Sequence, residues 1–374
     1  MTSVLVVNAG SSSLKLRALG HADETIAELE LDAWNGDPDT AALTEFLGSL
    51  DGIGAVGHRV VHGGSRFTRA TVIDDSVVAA IAGLADLAPL HQPRALAGIE
   101  AARAALPGVP EVACFDTAFH AGLPAAAATY ALPKDWIGRF GLRRYGFHGL
   151  SHSYAARRCA EMMKTSPERL RVVTCHLGAG SSLAAVHGGR SVDTTMGFTP
   201  LEGLVMATRC GSVDPGLLIW LLRHGGLGLG ELADGLDFAA GLAGLAGLPD
   251  GSGDMRVVAE AARAGRPDAK LAIDVHSHRL RSEIAAMAAA MDGLDAIVFT
   301  GGIGEHQPDV RAAAAAGLAF LGIAIDPARN AGAAPDTEIT GPGAAVRTLV
   351  IAAREDIEVA RQARAVLAAA PPAR

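Results

Sequence analysis

Two short segments rich in glycine and serine have the composition of a phosphate-binding turn. The sequence AGSS at residues 9–12 follows an apolar, β-branched run at 4–7, and the same four letters recur at 179–182 after a similar run at 172–175. Glycine leaves backbone N–H groups open to an anion, and serine hydroxyls add further donors. Each segment also suits an ordinary hairpin turn, but their recurrence favours phosphate binding. We expect each to be the turn of a β-hairpin.

A third glycine-rich run, GGIG at residues 301–304, supports the same chemistry. It follows a predicted buried strand and precedes a predicted helix at 309–316, so we interpret it as a loop that receives phosphate or ribose groups. The chain contains no GxxxxGK[ST] motif, so the phosphate cradle differs from a P-loop. Lys15, just after the first turn, would add a positive charge.

Two arginines have neighbours that suit an anionic substrate. In HRVVHGG (residues 58–64), interpreted as a strand end, Arg59 and Val61 share one face, which fits a small carboxylate with a short alkyl tail. The same spacing suits an edge strand with a solvated arginine, so the residues alone leave both interpretations open. Arg209 precedes a glycine turn and a predicted helix, and by itself it suits a structural role equally well.

Histidines in loops bounded by glycine or proline raise the question of a metal site. Four lie in such loops: His91, His148, His152 and His176. None belongs to an HExxH pair or accompanies the cysteine pairs of zinc motifs. The histidines of HSH at 276–278 are two residues apart on a predicted helix, which points their rings apart. We therefore set zinc aside.

The rest of the sequence predicts a duplicated α/β fold. Each half contains, after its hairpin, a buried strand that ends in a polar loop, at 112–117 and at 296–305. Helices are predicted over five alanine-rich stretches: 77–87, 95–105, 153–163, 255–264 and 271–291. Strands mixed with helices over 374 residues favour two α/β domains, with the substrate site in the cleft between the halves.

Composition and charge argue against several classes of protein. The chain is 49% hydrophobic and 19% charged, which excludes a disordered chain, and its net charge of -8 disfavours a non-specific nucleic-acid binder. No uninterrupted apolar run reaches the length of about 18 residues that a membrane span needs. The four cysteines form no CxxC pair and suit reduced thiols. We therefore expect a cytoplasmic protein that binds neither nucleic acid nor membrane.

Ten runs, taken in order, carry a resemblance to a known family. They are VVNAGSSSLK (6–15), GHRVVHGG (57–64), LAPLHQP (87–93), FDTAFH (115–120), YGFHGLSH (145–152), TCHLGAGSS (174–182), MGFTPLEGL (196–204), TRCGSVDP (208–215), SGDMR (252–256) and TGGIGEH (300–306). Each is weakly specific alone. Together the runs resemble acetate kinases, the short-chain acyl kinases of the acetate and sugar kinase, Hsp70 and actin superfamily, over nearly the whole chain.

This resemblance implies a fold, a reaction and partners. The fold would be the duplicated two-domain, ribonuclease H-like α/β core of that superfamily, with ATP in an interdomain cleft. Residues 1–120 and a C-terminal helix at 357–374 would form one domain. Residues 121–356 would form a second domain for nucleotide binding and dimerisation. The reaction would be the reversible transfer of the ATP γ-phosphoryl group to acetate, giving acetyl phosphate and ADP, with Mg²⁺ or Mn²⁺, in a homodimer.

The resemblance also implies residue roles. Asn8 and Glu355 match the metal-binding residues, and Arg59 matches the acetate-binding arginine. The catalytic group would be Asp116, His148 and Arg209, and the acyl-methyl pocket would be Val61, Leu90, Phe147 and Pro200. The nucleotide-binding residues would be Lys15, His176, Leu177, Gly178, Ala179, Gly180, Asp254, Met255, Arg256, Gly302, Ile303, Gly304, Glu305 and His306. Because acetate is ionised at neutral pH, Asp116 is expected to orient an arginine or a magnesium-bound water rather than to abstract a proton.

The chain departs from the family pattern at four positions. Ala179 replaces the asparagine of HLGNGSS, and Gln92 replaces the asparagine of LAPLHNP. Ser212 replaces the first aspartate of TRSGDIDP, and Arg354 precedes Glu355 where the family has TNEE. These changes bear on efficiency and donor preference rather than on the fold. Three alternatives stay open: a kinase for propionate or another short acid, a pyrophosphate-dependent enzyme, and a nucleotide-binding regulator without catalysis, against which the retained site residues argue.

Overall fold

The computed structural model describes residues 2–10, 13–32, 34, 36–37, 41–89 and 91–369. The chain divides into two compact units. The first comprises residues 1–121, 147–154 and 354–374, and the second comprises residues 122–146 and 155–353. The predicted domain boundaries at 120 and 357 remain a prediction. Residues 370–374 of the predicted C-terminal helix lie outside the described part of the chain.

Twelve strands and fifteen α-helices are assigned in the described residues. The strands are β1 (Ser3–Ala9), β2 (Ser13–Leu19), β3 (Thr25–Asp32), β4 (Ile53–Val60), β5 (Thr71–Val72), β6 (Glu111–Phe115), β7 (Arg171–Leu177), β8 (Ser181–His187), β9 (Arg190–Thr194), β10 (Ala296–Thr300), β11 (Thr337–Glu338) and β12 (Arg347–Val350). The helices are α1 (Ala41–Gly48), α2 (Asp75–Ala82), α3 (Gln92–Ala105), α4 (Ala125–Ala128), α5 (Lys134–Phe140), α6 (Gly149–Met162), α7 (Pro215–His224), α8 (Leu229–Phe238), α9 (Gly241–Ala246), α10 (Met255–Arg263), α11 (Pro267–Ala290), α12 (Gly301–His306), α13 (Pro308–Ala315), α14 (Pro327–Ala331) and α15 (Glu355–Ala369).

Each unit is built on a six-stranded mixed sheet, and the two sheets have the same topology. The order is β3-β2-β1-β4-β6-β5 in the first and β9-β8-β7-β10-β12-β11 in the second. In the first sheet β1, β4 and β6 are parallel neighbours, and the other pairings are antiparallel. The second sheet repeats this pattern with β7, β10 and β12 as its parallel strands. The repeat confirms the predicted duplication.

The first sheet is covered by helices on both faces, as the side chains of β1 show. Val4 and Val6 pack in a buried cluster with α15, whereas Leu5 and Val7 pack in another with α1 and α3. This alternation follows from the period of two in a strand, and it requires β1 to be apolar on both faces. Full burial of each such side chain contributes about 1.5–3 kcal/mol, so β1 is a rigid base for the polar residue near its end, Asn8.

The second sheet packs one face on α9, α10, α11 and α13. The largest buried cluster joins Val173, Cys175 and Leu177 of β7 and Phe299 of β10 to side chains of these helices. The odd-numbered residues of β7 therefore face the helices, as alternation requires. None of the helices in the described residues is both long and apolar enough to span a bilayer. The predicted location in the cytoplasm remains a prediction.

Most predicted elements are confirmed, and one is wrong. The strands of both hairpins, the two later buried strands and the five alanine-rich helices are present, with ends that differ by a few residues. The predicted loop GGIG is instead the start of helix α12, which begins directly after β10. Gly301 permits this because its φ is +79°, and a Cβ there would lie 2.7 Å from the backbone oxygen of Leu177. Gly301 thus permits a close approach of two backbones at the start of α12.

Candidate active site

Polar side chains converge in the first unit where its parallel strands end. Asn8 and Arg59 lie near the ends of β1 and β4, and Asp116 directly follows β6. Glu355 is the first residue of α15. Because carboxyl ends of parallel strands meet at one edge of a sheet, four residues distant in sequence form one cluster.

Arg59 is the centre of this cluster. Its Nε and Nη2 donate to the Asp116 carboxylate at 3.2 and 2.7 Å, and its Nη1 donates to Asn8 Oδ1 at 3.1 Å. Glu355 Oε2 lies 3.6 Å from Arg59 Nε. Burial lowers the pKa of Arg59, but the carboxylates of Asp116 and Glu355 more than offset burial and raise it. These hydrogen bonds use three of the five N–H donors of the guanidinium, which leaves two for an anionic ligand.

An apolar group lies next to Arg59 in the chain. Val61 follows the end of β4 and is 6% exposed. Phe147 is 1% exposed, and its ring makes an edge-type contact with the ring of His62 at a centroid distance of 5.4 Å. Gln92 fixes this segment, because its side-chain amide donates to the backbone oxygen of His62 and accepts from the His62 N–H. The glutamine that replaces the family asparagine is thus a buried structural residue. Leu90, predicted for the same pocket, lies outside the described residues.

The segment that carries His148 has an uncommon backbone. His148 has a φ of +54°, a left-handed conformation that is costly for a residue with a Cβ. The Phe147 carbonyl is held by a 3.0 Å hydrogen bond with His120 Nε2. Burial lowers the pKa of His120 to about 4 against the effect of that bond, so its ring is neutral at physiological pH. The strained His148 backbone, just before α6, marks this turn as a functional candidate.

The second unit contains a cavity of about 510 Å³ that gathers most of the predicted nucleotide segments. Its walls are Gly178, Ala179, Ala207, Gly253, Asp254, Met255, Arg256, Gly302, Ile303, His306 and Gln307. Three of these residues were not predicted: Ala207, Gly253 and Gln307. Gly253 and Gln307 adjoin predicted residues, which was a usable signal, whereas nothing near Ala207 in the sequence pointed to the cavity. The size and apolar lining of the cavity suit a small organic ligand.

Other predicted nucleotide residues are not among these walls. Leu177 is fully buried in the core, so only its backbone is available to a ligand, and its role in nucleotide binding stays a prediction. Lys15, in the first unit, forms an ion pair with Glu30 on the neighbouring strand. Glu305 accepts from the N–H groups of Gly301 and Ala353 at 3.0 and 2.9 Å, which makes it a structural cap of α12. Three further predicted residues do not line the cavity: His176, Gly180 and Gly304.

Arg209 is the second arginine of interest, and it lies in the second unit. Its Nη1 donates to the backbone oxygen of Pro200 at 3.4 Å, and its Nε lies 3.9 Å from Asp237 Oδ1. Burial lowers the pKa of Arg209, while Asp237 opposes that effect. Both contacts are long and leave most of the guanidinium donors available. Arg209 is therefore held near Pro200 but keeps its capacity to bind an anion.

Two departures from the family pattern have a structural account. Ser212 exchanges hydrogen bonds with Gly203: its N–H donates to the Gly203 oxygen, and its Oγ accepts from the Gly203 N–H. Arg354 is paired with Asp356 through its Nε and Nη2 at 3.0 and 2.8 Å. The cation beside Glu355 is thus paired with a carboxylate within its own turn.

The shared topology of the two sheets is the fold of the acetate and sugar kinase, Hsp70 and actin superfamily. The model of the acetokinase family matches residues 39–361. The chain belongs to this family, whose members are phosphotransferases with a carboxyl group as acceptor.

Comparisons with individual proteins agree with this family assignment. The chain is 49% identical to the acetate kinase of Synechococcus sp. (strain JA-2-3B'a(2-13)), over 96% of this chain and 97% of the relative. The crystal structure of Porphyromonas gingivalis acetate kinase aligns with a TM-score of 0.88 and 34% identity, over 98% of this chain and 100% of that chain. A propionate kinase from Francisella tularensis subsp. tularensis SCHU S4 aligns with a TM-score of 0.89, also at 34% identity and with the same coverage.

Proposed function

We propose that the chain catalyses the reversible transfer of the γ-phosphoryl group of MgATP to acetate, giving acetyl phosphate and ADP. The observation that carries this proposal is Arg59, held by Asp116 and Asn8 with two N–H donors left over, and followed two residues later by the buried Val61. A planar cation suits a carboxylate, and an apolar side chain suits the methyl group of acetate. The other acyl-pocket residues in this proposal are Leu90, Phe147 and Pro200.

In this proposal Asp116 is a positioning residue. Its carboxylate is 1% exposed and binds Arg59 through both oxygens, so it fixes the plane of the guanidinium. Acetate has no proton to lose at neutral pH, so the attack of its oxygen on the γ-phosphorus needs no general base. That attack forms one O–P bond, breaks the bond between the γ-phosphorus and the bridging oxygen, and leaves ADP as the second product. Arg209 and His148 would stabilise the charge on the transferring group.

The residues near Arg59 also fit a magnesium ion. Asn8 and Glu355 offer amide and carboxylate oxygens, the hard donors that Mg²⁺ prefers, and Asn8 Oδ1 has a second lone pair besides the one facing Arg59. Two carboxylates face one guanidinium, which leaves an excess of negative charge. Glu355 is 14% exposed against 1% for Asp116, so it is the more accessible ligand. The ion would supply neutralisation of phosphate oxygens.

The nucleotide would occupy the cavity of the second unit. Met255 and Ile303 offer apolar contact for a base, and glycines 178, 253 and 302 allow close approach of the backbone to the ligand. Arg256 is engaged with the Asp254 carboxylate, which also caps α10 by accepting from the Arg256 N–H. The Asp254–Arg256 ion pair therefore lines the cavity as a polar group in which the arginine charge is already paired. The remaining nucleotide residues of the resemblance stay predictions.

The direct test of this function is product capture. The protein is incubated with ATP, MgCl₂, a carboxylic acid and hydroxylamine, which converts an acyl phosphate to a coloured iron hydroxamate. We expect product with acetate and ATP, and none without magnesium. ATP binding without hydroxamate, with every acid supplied, would instead favour a nucleotide-binding regulator without catalysis.

A propionate kinase is the second candidate, because one of the well-aligned structures is a propionate kinase. If Val61 limits the acyl pocket, Val61→Ala makes room for one more methylene and raises kcat/KM for propionate relative to acetate. A methylene in such a pocket is worth about 1–3 kcal/mol, or roughly 10–200-fold. Val77→Ala, which also shortens a buried valine of the first unit, is the control and should leave the ratio unchanged. An unchanged ratio in Val61→Ala removes Val61 from the pocket.

Ala179 allows a test of the phosphate donor. The side chain at this position is exposed and lines the cavity, so there is space for an amide. Ala179→Asn restores the family donor and should raise kcat/KM for MgATP, since a hydrogen bond to a charged group contributes about 1.5–3 kcal/mol. Ala312→Asn, at an exposed alanine of α13, is the control. Turnover with pyrophosphate that exceeds turnover with ATP contradicts ATP as the donor, and no gain from the asparagine contradicts a limiting role for Ala179.

We also propose a homodimer formed through the second unit. Helix α7 has no buried residue, and four of its large apolar side chains are exposed. The exposed fractions of Leu217, Ile219, Trp220 and Leu222 are 47, 50, 55 and 39%. The resemblance implies that the corresponding domain forms the dimer contact, so a second copy of the chain is the occupant that suits this face. Trp220→Glu should convert the dimer to a monomer in light scattering. Phe320→Glu, at an equally apolar but separate exposed site, should not. A monomeric native protein contradicts the proposal.

A further inference from the structure

Three polar side chains form a network in the second unit that the proposed mechanism does not use. Glu202 accepts from the hydroxyl of Tyr130 and from Nη2 of Arg144, both at 2.7 Å. The Arg144 guanidinium also lies 5.5 Å from the centroid of the Tyr130 ring. Burial, followed by the bond to Glu202, raises the pKa of Tyr130, so the hydroxyl keeps its proton and donates it. The network is thus a closed triangle of complementary groups.

Two members of the triangle, Tyr130 and Arg144, also bind the backbone of one segment, residues 195–204, which we call the Pro200 loop. The Tyr130 oxygen accepts from the Phe198 N–H at 2.8 Å. Arg144 Nη1 donates to the backbone oxygens of Thr195 and Met196 at 3.1 and 3.0 Å. Glu202 itself belongs to the loop. Five hydrogen bonds therefore tie this loop to residues 130 and 144, which lie on either side of α5.

Gly197 shows how tightly the loop is packed against the triangle. A Cβ at this position would lie 1.8 Å from Glu202 Oε2 and 2.2 Å from the Tyr130 oxygen. Both atoms are held by the hydrogen bonds of the triangle, so neither moves away without breaking a bond. The Gly197 oxygen in turn accepts from the Tyr145 N–H at 3.0 Å. The loop is fixed sterically as well as by hydrogen bonds.

The far end of the Pro200 loop is joined to the segment that carries Arg209. Gly203 exchanges two hydrogen bonds with Ser212, at 2.9 and 3.1 Å, and the Pro200 oxygen accepts from Arg209. A change in the loop therefore reaches Arg209 by two routes, through Pro200 and through Ser212. Since small displacements of a catalytic group cost up to about 100-fold in rate, this connection matters for catalysis.

We infer that Tyr130, Arg144 and Glu202 are positioning residues, which hold the Pro200 loop and through it orient Arg209 and set the acyl wall at Pro200. This inference rests on the proposed function for its kinetic consequence. The triangle touches none of the reacting groups itself. Its loss should lower kcat and change the preference between acetate and propionate, and it should leave the affinity for MgATP unchanged.

The primary variant is Tyr130→Phe, which removes one hydroxyl and keeps the ring. We expect kcat with acetate to fall roughly 3–10-fold, with KM for MgATP within about twofold of native, and a shifted ratio of propionate to acetate turnover. Gly197→Ala, which forces the triangle apart without deleting a polar group, should give the same pattern more strongly. Tyr154→Phe, a buried tyrosine of α6, is the matched control.

Hydrogen exchange gives a readout that is independent of activity. The Phe198 amide loses its acceptor in Tyr130→Phe, so peptides covering residues 196–204 should exchange faster, whereas peptides of α11 should not change. Faster exchange together with the selective kinetic change supports the inference. Unchanged exchange, native kcat, or a parallel rise in KM for MgATP overturns it. If the native protein phosphorylates no carboxylic acid, the proposed function fails, and the exchange result still decides whether the triangle holds the loop.

Discussion

Replacing Arg209 by lysine should lower kcat by about 100-fold or more, while KM for acetate changes little. Lysine keeps the charge but lacks the planar fork of N–H donors that matches the oxygens of a transferring phosphoryl group. Loss of one preorganised contact to such a group typically costs about 10²–10³-fold in kcat. The structure supports this role, because within the described part of the chain two long contacts, to Pro200 and Asp237, engage the guanidinium.

The control for this prediction is Arg263→Lys. Arg263 ends α10 in the same unit and is 65% exposed, with Asp309 as its partner, so the exchange should leave both constants unchanged. Steady-state kinetics over acetate and MgATP measure the two variants. Near-native kcat in Arg209→Lys would remove this residue from the transition state.

Replacing Arg59 by alanine should raise KM for acetate by roughly 10–150-fold, the equivalent of about 1.5–3 kcal/mol for a hydrogen bond to a charged group. Stability should fall as well, because the Asp116 carboxylate, 1% exposed, loses its partner. Removing one partner of a buried ion pair costs about 3–5 kcal/mol. The two effects have separate origins, so they are separable by a second substitution.

Arg59→Ala combined with Asp116→Asn makes that separation. The double variant removes the buried charge, so thermal stability should recover in part, whereas KM for acetate should stay high. Arg69→Ala, at an exposed arginine of the first unit, should alter neither property. Recovery of acetate binding in the double variant would show that Arg59 acts only through the fold.

Local patterns were sufficient to predict the paired strands, because each depends on neighbouring residues. Strands β1 and β2 are close neighbours in sequence, as are β7 and β8. Residues 11 and 12 of the first predicted turn lie outside the described residues. Helix α12 was missed for the opposite reason. Three glycines in four residues disfavour a helix by about 1 kcal/mol each relative to alanine, and the compensation comes from a side chain of the next helix, α13. Arg311, fully buried, donates to the carbonyls of Gly304 and Glu305 and so caps the end of the helix.

The candidate site likewise contains residues that the sequence predicted and contacts that it did not. The resemblance named Arg59 and Asp116, and the structure brings them together across 57 positions of sequence. The resemblance could not show that the buried Gln92 holds the backbone of His62, because that depends on hydrogen bonds between a side chain and a backbone distant in sequence. The triangle around Glu202 was invisible for a similar reason: Glu202 lies in the run MGFTPLEGL, but Tyr130 lies 72 positions away and belongs to none of the ten runs.

The most direct test of the central claim follows the oxygen atoms of acetate. Acetate labelled with ¹⁸O in both oxygens is incubated with the protein, MgATP and hydroxylamine, and the released phosphate is analysed by mass spectrometry. Attack of a carboxylate oxygen on the γ-phosphorus places one labelled oxygen between carbon and phosphorus. Hydroxylamine then cleaves the acyl carbon–oxygen bond, so the phosphate should carry one ¹⁸O atom. Unlabelled phosphate, released at the same rate with and without acetate, would contradict transfer to the carboxylate and indicate hydrolysis by water.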